Sequence, residues 1–379
     1  MFSLTLEKFL EQKTLFYTKI EYETIEKSWE ILSSYVKLPY VIHIVGTNGK
    51  GTTGRFIASF LKQQSTKVLH YTSPHIKRFN ERIWIDGVDV SDEQLEITHQ
   101  KIVKILPQDL LEKLTYFEYT TLLALFLSDG SDFIVLEAGL GGEFDATNVV
   151  ENQITVVPSI GLDHKEFLGD TITLIASTKL RSCDNRYIFG KNMTQEVLNL
   201  KETILKGKDE IPFQNDLNFK AGAYLPKYII DNAKLALSVV SFLGLYRDDF
   251  VLDVLKGRCQ KLTSNITIDV GHNPLAANVI LEEFKNKKIT LIYNSYKDKD
   301  YKEIMTILKP ILKEVLIIEC DDIRMADVVH LREVIEELGI SVDLFFYEKL
   351  LPQNHYLVFG SFKVVETFLN QFSDKIANH

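Results

Sequence analysis

Cysteine is scarce in this chain of 379 residues: Cys183, Cys259 and Cys320 are odd in number, far apart and in no Cys-x-x-Cys pair. Such spacing builds neither a disulfide framework nor a thiolate zinc site, and a reducing cytoplasm is expected. No apolar run of about 18 residues occurs, and Glu7, Lys8 and Glu11 interrupt the N-terminal segment. Neither a membrane span nor an export signal is therefore expected. Positive charge is not in excess: 43 Lys and Arg stand against 52 Asp and Glu, for a net charge of −9. A chain of that sign has no global attraction for nucleic acid or anionic lipid, which leaves small molecules as the expected partners. What is present is ordinary for a folded protein, with 45% apolar and 25% charged residues. Its length allows two or three domains.

Short β-branched runs alternate with amphipathic segments, which predicts βαβ units and the α/β class. Tyr40 to Gly46 reads as a buried strand, and Lys50 to Gln64 as a helix with Phe56, Ile57, Phe60 and Leu61 on one face. Further strands are predicted at Lys67 to Thr72, Arg82 to Asp86, Asp132 to Glu137 and Gln153 to Ser159. Helices are predicted at Ser91 to Leu106, opened by a Ser91/Gln94 capping box, and at Phe117 to Ser128. Pro226 opens another helix that Gly244 ends. Beyond about residue 262 five strands are predicted, at Ile266 to Val270, Ile289 to Tyr293, Val315 to Ile318, Val342 to Phe346 and Tyr356 to Phe359. They suffice for a second, smaller doubly wound domain, with a boundary near Lys256 to Ser264.

Glycine is sparse, 19 in all, yet four fall in Gly46 to Gly54 and three in Gly139 to Gly142. The first cluster, Gly46-Thr47-Asn48-Gly49-Lys50-Gly51-Thr52-Thr53, joins a strand to a helix, where backbone N–H groups hold phosphate oxygens. Lys50 would neutralise phosphate charge, and Thr52 or Thr53 would offer a hydroxyl to Mg²⁺. The strict Gly-x4-Gly-Lys-Ser/Thr spacing is not met: Ile44 takes the first glycine position and Gly51 separates Lys50 from Thr52. A plain glycine turn is the competing reading. The second cluster follows Glu137, a carboxylate at a strand's C-terminal end, where α/β proteins bind ligands and a metal ligand is natural. His164 follows the next strand; a lone histidine is more often structural than metal-binding. Asp269-Val270-Gly271-His272-Asn273-Pro274 also sits between a strand and a helix, and a simple Asn-Pro helix start explains it equally well.

Several ordered segments carry more information together than any loop alone: His43 to Thr52, Thr72-Ser73-Pro74-His75, Phe79-Asn80-Glu81-Arg82-Ile83, Phe117-Glu118, Asp145-Ala146-Thr147-Asn148, Gly161-Leu162-Asp163-His164, Gly257-Arg258 and Asp269 to Pro274. In that order they resemble the folylpolyglutamate synthase and dihydrofolate synthase family, a branch of the ATP-dependent Mur ligases. The resemblance implies a P-loop-type N-terminal ATPase domain over residues 1–262. A smaller, doubly wound, Rossmann-like ligase domain would occupy 263–379. It implies Gly49, Lys50, Gly51 and Thr52 on the triphosphate of ATP and Ser73, Glu137 and His164, with Thr52, on Mg²⁺. Asn232, Arg258 and Asp269 would surround the nucleotide, with His272 nearby. Lys179 matches a lysine that the family carboxylates to a carbamate. Phe117, Glu118, Asp145 and Ala146 match the region that holds the pterin. Lys50, Lys179 and His164 would thus be the catalytic group, with ATP, L-glutamate and dihydropteroate or a folate as substrates, and a monomer is expected.

The chain also departs from the family pattern. Gly141-Gly142-Glu143-Phe144 stands where Gly-Gly-Arg-Leu is usual, Thr178-Lys179-Leu180-Arg181 replaces Glu-Lys-Ala-Gly, and Val270-Gly271 replaces Gly-Ala. Two consequences are expected. Glu143 would repel an anionic glutamyl tail, and the Arg181 cation would help lower the Lys179 amine. Besides the folate ligase, the sequence leaves open a Mur-type ligase of cell-wall precursors and a nucleotide-binding relative without catalysis. The short stretch before Tyr40 leaves no obvious room for an extra N-terminal domain.

Overall fold

A computed structural model describes residues 4–14, 22–222 and 224–377. The chain divides into two compact units. The first comprises residues 1–161, 165–225 and 229–253; the second takes 254–379 together with 162–164 and 226–228.

The first unit is built on an eight-stranded sheet. In chain order its strands are β1 (Tyr40–Ile44), β2 (Val68–Tyr71), β3 (Ile83–Ile85), β4 (Val88–Asp89), β5 (Phe133–Glu137), β6 (Ile154–Val157), β7 (Arg186–Phe189) and β8 (Asp209–Glu210). They lie in the order β4-β3-β2-β5-β1-β6-β7-β8, parallel except for the β2–β3 and β3–β4 pairs. Parallel strands buried on both faces favour near-continuous apolar runs, and β1, β5 and β6 are apolar but for the buried His43, Glu137 and Thr155. Chain connections diverge on either side of β1, so a crevice opens at its C-terminal end, where open α/β sheets bind ligands. Register sets what meets there. Ile44 pairs with Glu137 and with Val156, and Tyr71 pairs with Leu136. The segments leaving β1, β2, β5 and β6 therefore emerge side by side.

The helices follow local rules. The helix Lys50–Lys62 leaves β1 and is buried along nearly its whole length. Asp92–Ile105 begins at the expected Ser91/Gln94 capping box, and Tyr116–Leu127 at a second box made by Thr115 and Glu118. Lys227–Phe242 starts one residue after Pro226, and Gly244 follows it in a left-handed conformation. The sequence pattern missed β4, β7, β8 and the helices Leu6–Glu11, Tyr22–Leu32, Gln108–Lys113, Gln195–Ile204 and Ile172–Leu180, the last with weak hydrophobic periodicity.

The second unit holds a six-stranded sheet of β9 (Gln260–Lys261), β10 (Ile266–Ile268), β11 (Ile289–Tyr293), β12 (Leu312–Ile317), β13 (Val342–Leu344) and β14 (Tyr356–Phe359). The order is β13-β12-β11-β14-β10-β9, parallel but for the short edge strand β9. All five predicted strands are present. Leu291, Tyr293, Val315, Leu357 and Phe359 form the middle of its core. Among the described residues no helix is long and apolar enough to cross a membrane.

Core and edge positions should separate clearly. Leu136 is fully buried in β5, so Leu136→Ala is expected to cost about 2–5 kcal/mol. Val88 is exposed on the edge strand β4, and Val88→Ala should change stability by less than about 0.5 kcal/mol. Urea unfolding of the two variants measures the difference.

Candidate active site

The glycine loop after β1 is anchored to the loop after β6. Thr47 N–H donates to Ser159 O (2.8 Å), Asn48 N–H to Ser159 Oγ (3.1 Å), and the Thr47 hydroxyl to Gly161 O (3.0 Å). Gly49, the N-cap of the Lys50–Lys62 helix, has φ +83°, and no side chain caps that helix. A helix start of that kind leaves first-turn N–H groups without intrahelical partners, an arrangement that anion sites use. A Cβ on Gly49 would come within 3.0 Å of the Asn232 side chain and 3.2 Å of Pro158. Asn232 therefore packs on the loop. Thr52 is buried in the first turn.

Two cations converge on this loop. Lys50 Nζ donates to Gly46 O at 3.1 Å, and Lys179 Nζ donates to the same oxygen at 3.0 Å. Lys179 lies near the end of the Ile172–Leu180 helix and is only 4% exposed, which rules out a solvated helix-end lysine. The second glycine cluster fits against that helix: a Cβ on Gly142 would lie 3.0 Å from Lys179 Cα, and Glu143 N–H donates to Thr178 O (2.8 Å).

Glu137 ends β5 and is buried; its Oε2 accepts from the Thr72 hydroxyl and from Ser73 N–H (3.1 Å). Ser73 and Glu137, both expected on a metal, are thus brought together. One carboxylate among hydroxyls is a hard oxygen set of the kind that binds Mg²⁺ when waters and phosphates complete the sphere. No cluster of three or more His, Cys, Asp or Glu side chains suited to a metal occurs among the described residues, so a closed all-protein cage is not what this set offers.

Two of the expected substrate residues are engaged within the protein. The Glu118 carboxylate accepts from Thr115 N–H (2.8 Å) and the Thr115 hydroxyl (2.9 Å), closing a helix cap. Asp145 accepts from Leu140 N–H (2.7 Å), Thr147 N–H (3.0 Å) and the Thr147 hydroxyl (2.6 Å), so it shapes the loop that carries Ala146. Burial raises its carboxyl, and the hydrogen bonds and Lys50 pull it back. Phe117 is half-buried, its ring against Gly139 and 5.9 Å from that of Tyr71. Glu143 and Arg181 form a pair at 3.1 Å. This corrects both charge expectations: Glu143 is not a bare anion beside the pocket, and the Arg181 guanidinium is turned to Glu143.

In the second unit a buried carboxylate that the sequence reading passed over organises the expected residues. Asp163 accepts from Lys299 Nζ (2.7 Å) and Asn273 Nδ2 (3.0 Å), with His272 Nε2 at 3.8 Å and His164 Nε2 at 4.0 Å. Burial alone would raise its carboxyl, but the charges of His164, His272 and Lys299 outweigh it and hold the group well below the usual carboxylate range. The signal for Lys299 was the charged run Lys297-Asp298-Lys299-Asp300 directly beyond a strand. Asn273 caps the Pro274–Phe284 helix, as its sequence suggested. Asp269 accepts from Tyr228 OH (3.0 Å), Cys259 N–H (2.9 Å) and Gly271 N–H (2.8 Å). It thereby ties down the turn bearing Arg258, whose guanidinium lies 5.2 Å from the Phe362 ring.

No protein-family profile matches the chain. Individual proteins do. The dihydrofolate synthase/folylpolyglutamate synthase of Haemophilus influenzae is 32% identical over 326 residues, covering 73% of this chain and 74% of that protein. The crystal structure of Helicobacter pylori folylpolyglutamate synthetase superposes with a TM-score of 0.75 at 34% identity, covering 97% of this chain and 98% of the other. Escherichia coli FolC in complex with ADP gives a TM-score of 0.82 at 26% identity, covering 98% and 97%. With two α/β units, an uncapped helix at a glycine loop and identity of this extent, the chain belongs to the dihydrofolate synthase/folylpolyglutamate synthase family.

Proposed function

We propose that the chain is an ATP-dependent ligase that joins L-glutamate to a folate-type carboxylate through an acyl phosphate, with dihydropteroate as its first substrate and folate extension second. The observation that carries this reading is the convergence of Lys50 and Lys179 on Gly46 O at an uncapped helix start, beside Ser73 and Glu137. Family membership favours a folate over a cell-wall precursor. The complete set of loop, lysine and carboxylate favours catalysis over mere nucleotide binding.

A carboxylate is a poor acyl donor at neutral pH. In the first step its oxygen attacks the γ-phosphorus of ATP, the bond to the β-phosphate oxygen breaks, and ADP leaves. In the second the glutamate amine attacks the acyl carbon, phosphate departs, and the amine proton passes to solvent. Phosphoryl transfer needs little covalent help, so positioning and charge stabilisation supply most of the rate. Gly49, Gly51 and Thr52 offer backbone N–H groups to the phosphates, and Lys50 offers a cation. Ser73 and Glu137, with Thr52, would hold a Mg²⁺ that neutralises phosphate charge. Phe117 provides a wall for the flat pterin, and Ala146 backbone groups on the loop braced by Asp145 provide polar edges. Within the second unit, Asp269 fixes the turn bearing Arg258, a residue proposed for nucleotide, and His272 and His164 flank Asp163.

A carbamate on Lys179 belongs to the same proposal. Two ammonium groups on one carbonyl oxygen repel, and converting one into an anion relieves that repulsion. The reaction joins the neutral amine to CO₂ and releases one proton. Carbon NMR of the protein under ¹³CO₂ is expected to show a single carbamate signal that Lys179→Ala removes; the same spectrum from both proteins would refute it.

Lys50→Ala should keep the fold, since it removes a half-buried charge and no core volume, yet lower turnover by at least about 100-fold. Circular dichroism and an ADP-release assay measure the two halves of that statement. With ATP, Mg²⁺ and L-glutamate, product mass should show dihydrofolate formed from dihydropteroate at a higher kcat/KM than the glutamylation of tetrahydrofolate. Because Arg181 offsets Glu143, Glu143→Gln should not by itself reverse that order.

A further inference from the structure

Arg82 is 9% exposed, yet no carboxylate among the described residues lies within ion-pair distance of its guanidinium. A guanidinium stays charged in a protein, and burying it without a counter-ion is costly. Its neighbours hold it in place without neutralising it. Nε donates to His75 Nδ1 at 2.8 Å, and the guanidinium lies 5.2 Å from the Tyr116 ring centroid. His75 Nδ1 is the acceptor of that bond, so it adds no charge to offset the guanidinium. The adjacent Glu81 is turned away, its carboxylate accepting from the Ile76, Lys77 and Arg78 N–H groups. The two terminal nitrogens, the fork that matches a carboxylate in two places, have no protein acceptor among the described residues.

The surroundings indicate which anion belongs there. Thr72 N–H donates to Arg82 O (2.8 Å), and the Thr72 hydroxyl donates to Glu137, so Arg82 adjoins the loop proposed to hold the metal. On its other side Tyr116 directly precedes Phe117, the proposed pterin wall. The phosphates already have their donors at the start of the Lys50–Lys62 helix. We propose that Arg82 binds the carboxylate of the pterin substrate, the group that attacks the γ-phosphate, with His75 and Tyr116 fixing the plane of the guanidinium. The inference rests on the folate-ligase reading and names the residue that recognises its reacting group.

The test compares dihydropteroate with the same pterin compound lacking its carboxylate, in fluorescence titrations of the full chain with Mg²⁺ and a non-hydrolysable ATP analogue. The unaltered protein is expected to prefer dihydropteroate by about 10- to 100-fold. Arg82→Gln should abolish that preference and leave the affinity for the decarboxylated compound unchanged, while Arg82→Lys should narrow it. An undiminished preference in Arg82→Gln overturns the proposal, as does equal weakening of both ligands, which would mark a structural role. A raised KM for L-glutamate with the preference intact would give Arg82 to the other substrate and also overturn it. Should Arg82→Gln fail to fold, Arg82→Lys decides alone, and a full preference there refutes the inference. If the unaltered protein binds neither ligand, the folate reading fails in that arm, before any variant is compared.

Discussion

The first unit depends on a helix start that no side chain caps. An α-helix leaves its first N–H groups without internal partners, and most proteins spend a serine, threonine or aspartate on them. Here Gly49 occupies the cap in a left-handed conformation, pressed against Asn232 and Pro158, where a side chain would collide. The donors stay available, and the loop before them is stiffened by Ser159 and Gly161 rather than by its own side chains. The sheet register makes this useful, because Glu137 and the Thr72–Ser73 segment emerge beside the same loop. An anion bound there, as proposed, would meet preorganised donors.

Charge around that loop is arranged in layers. Lys50 and Lys179 share one carbonyl oxygen, and the Glu143–Arg181 pair lies one step further out, linking the glycine-rich loop to the helix that carries Lys179. Glu143 and Arg181 both stand where the family pattern has other residues, and each occupies the charge of the other. A pair of this kind, partly exposed, adds little stability, yet it removes the field that either residue would exert alone. Local charge is therefore read from contacts, and single positions mislead.

The second unit uses buried carboxylates as joints. Asp269 gathers three donors from three chain segments, and Asp163 gathers a lysine and an asparagine with two histidines close by. Buried anions are tolerated only when partners satisfy them, so each carboxylate fixes the positions of the groups around it. The turn bearing Arg258 and the start of the Pro274–Phe284 helix owe their placement to these two residues.

How much of this was legible in the sequence depends on range. Many strand and helix positions follow from periodicity, capping boxes and glycine placement, which are local signals; the weakly periodic Ile172–Leu180 helix gave none, and the helices Tyr22–Leu32 and Gln195–Ile204 were passed over although they are amphipathic. The glycine loop, Lys50 and Glu137 were legible because strand–loop–helix order determines what lies at a sheet's end. The tertiary structure alone decided which distant partners the polar groups take: Arg181 takes Glu143, 38 residues back, and Asp163 takes Lys299, 136 residues away. The pairing of Arg82 with His75 spans only seven residues, yet its burial, with no counter-ion among the described residues, arises when β2, β3 and the Tyr116–Leu127 helix come together. A residue's type states which bonds it can make, and only packing states which remain for a substrate.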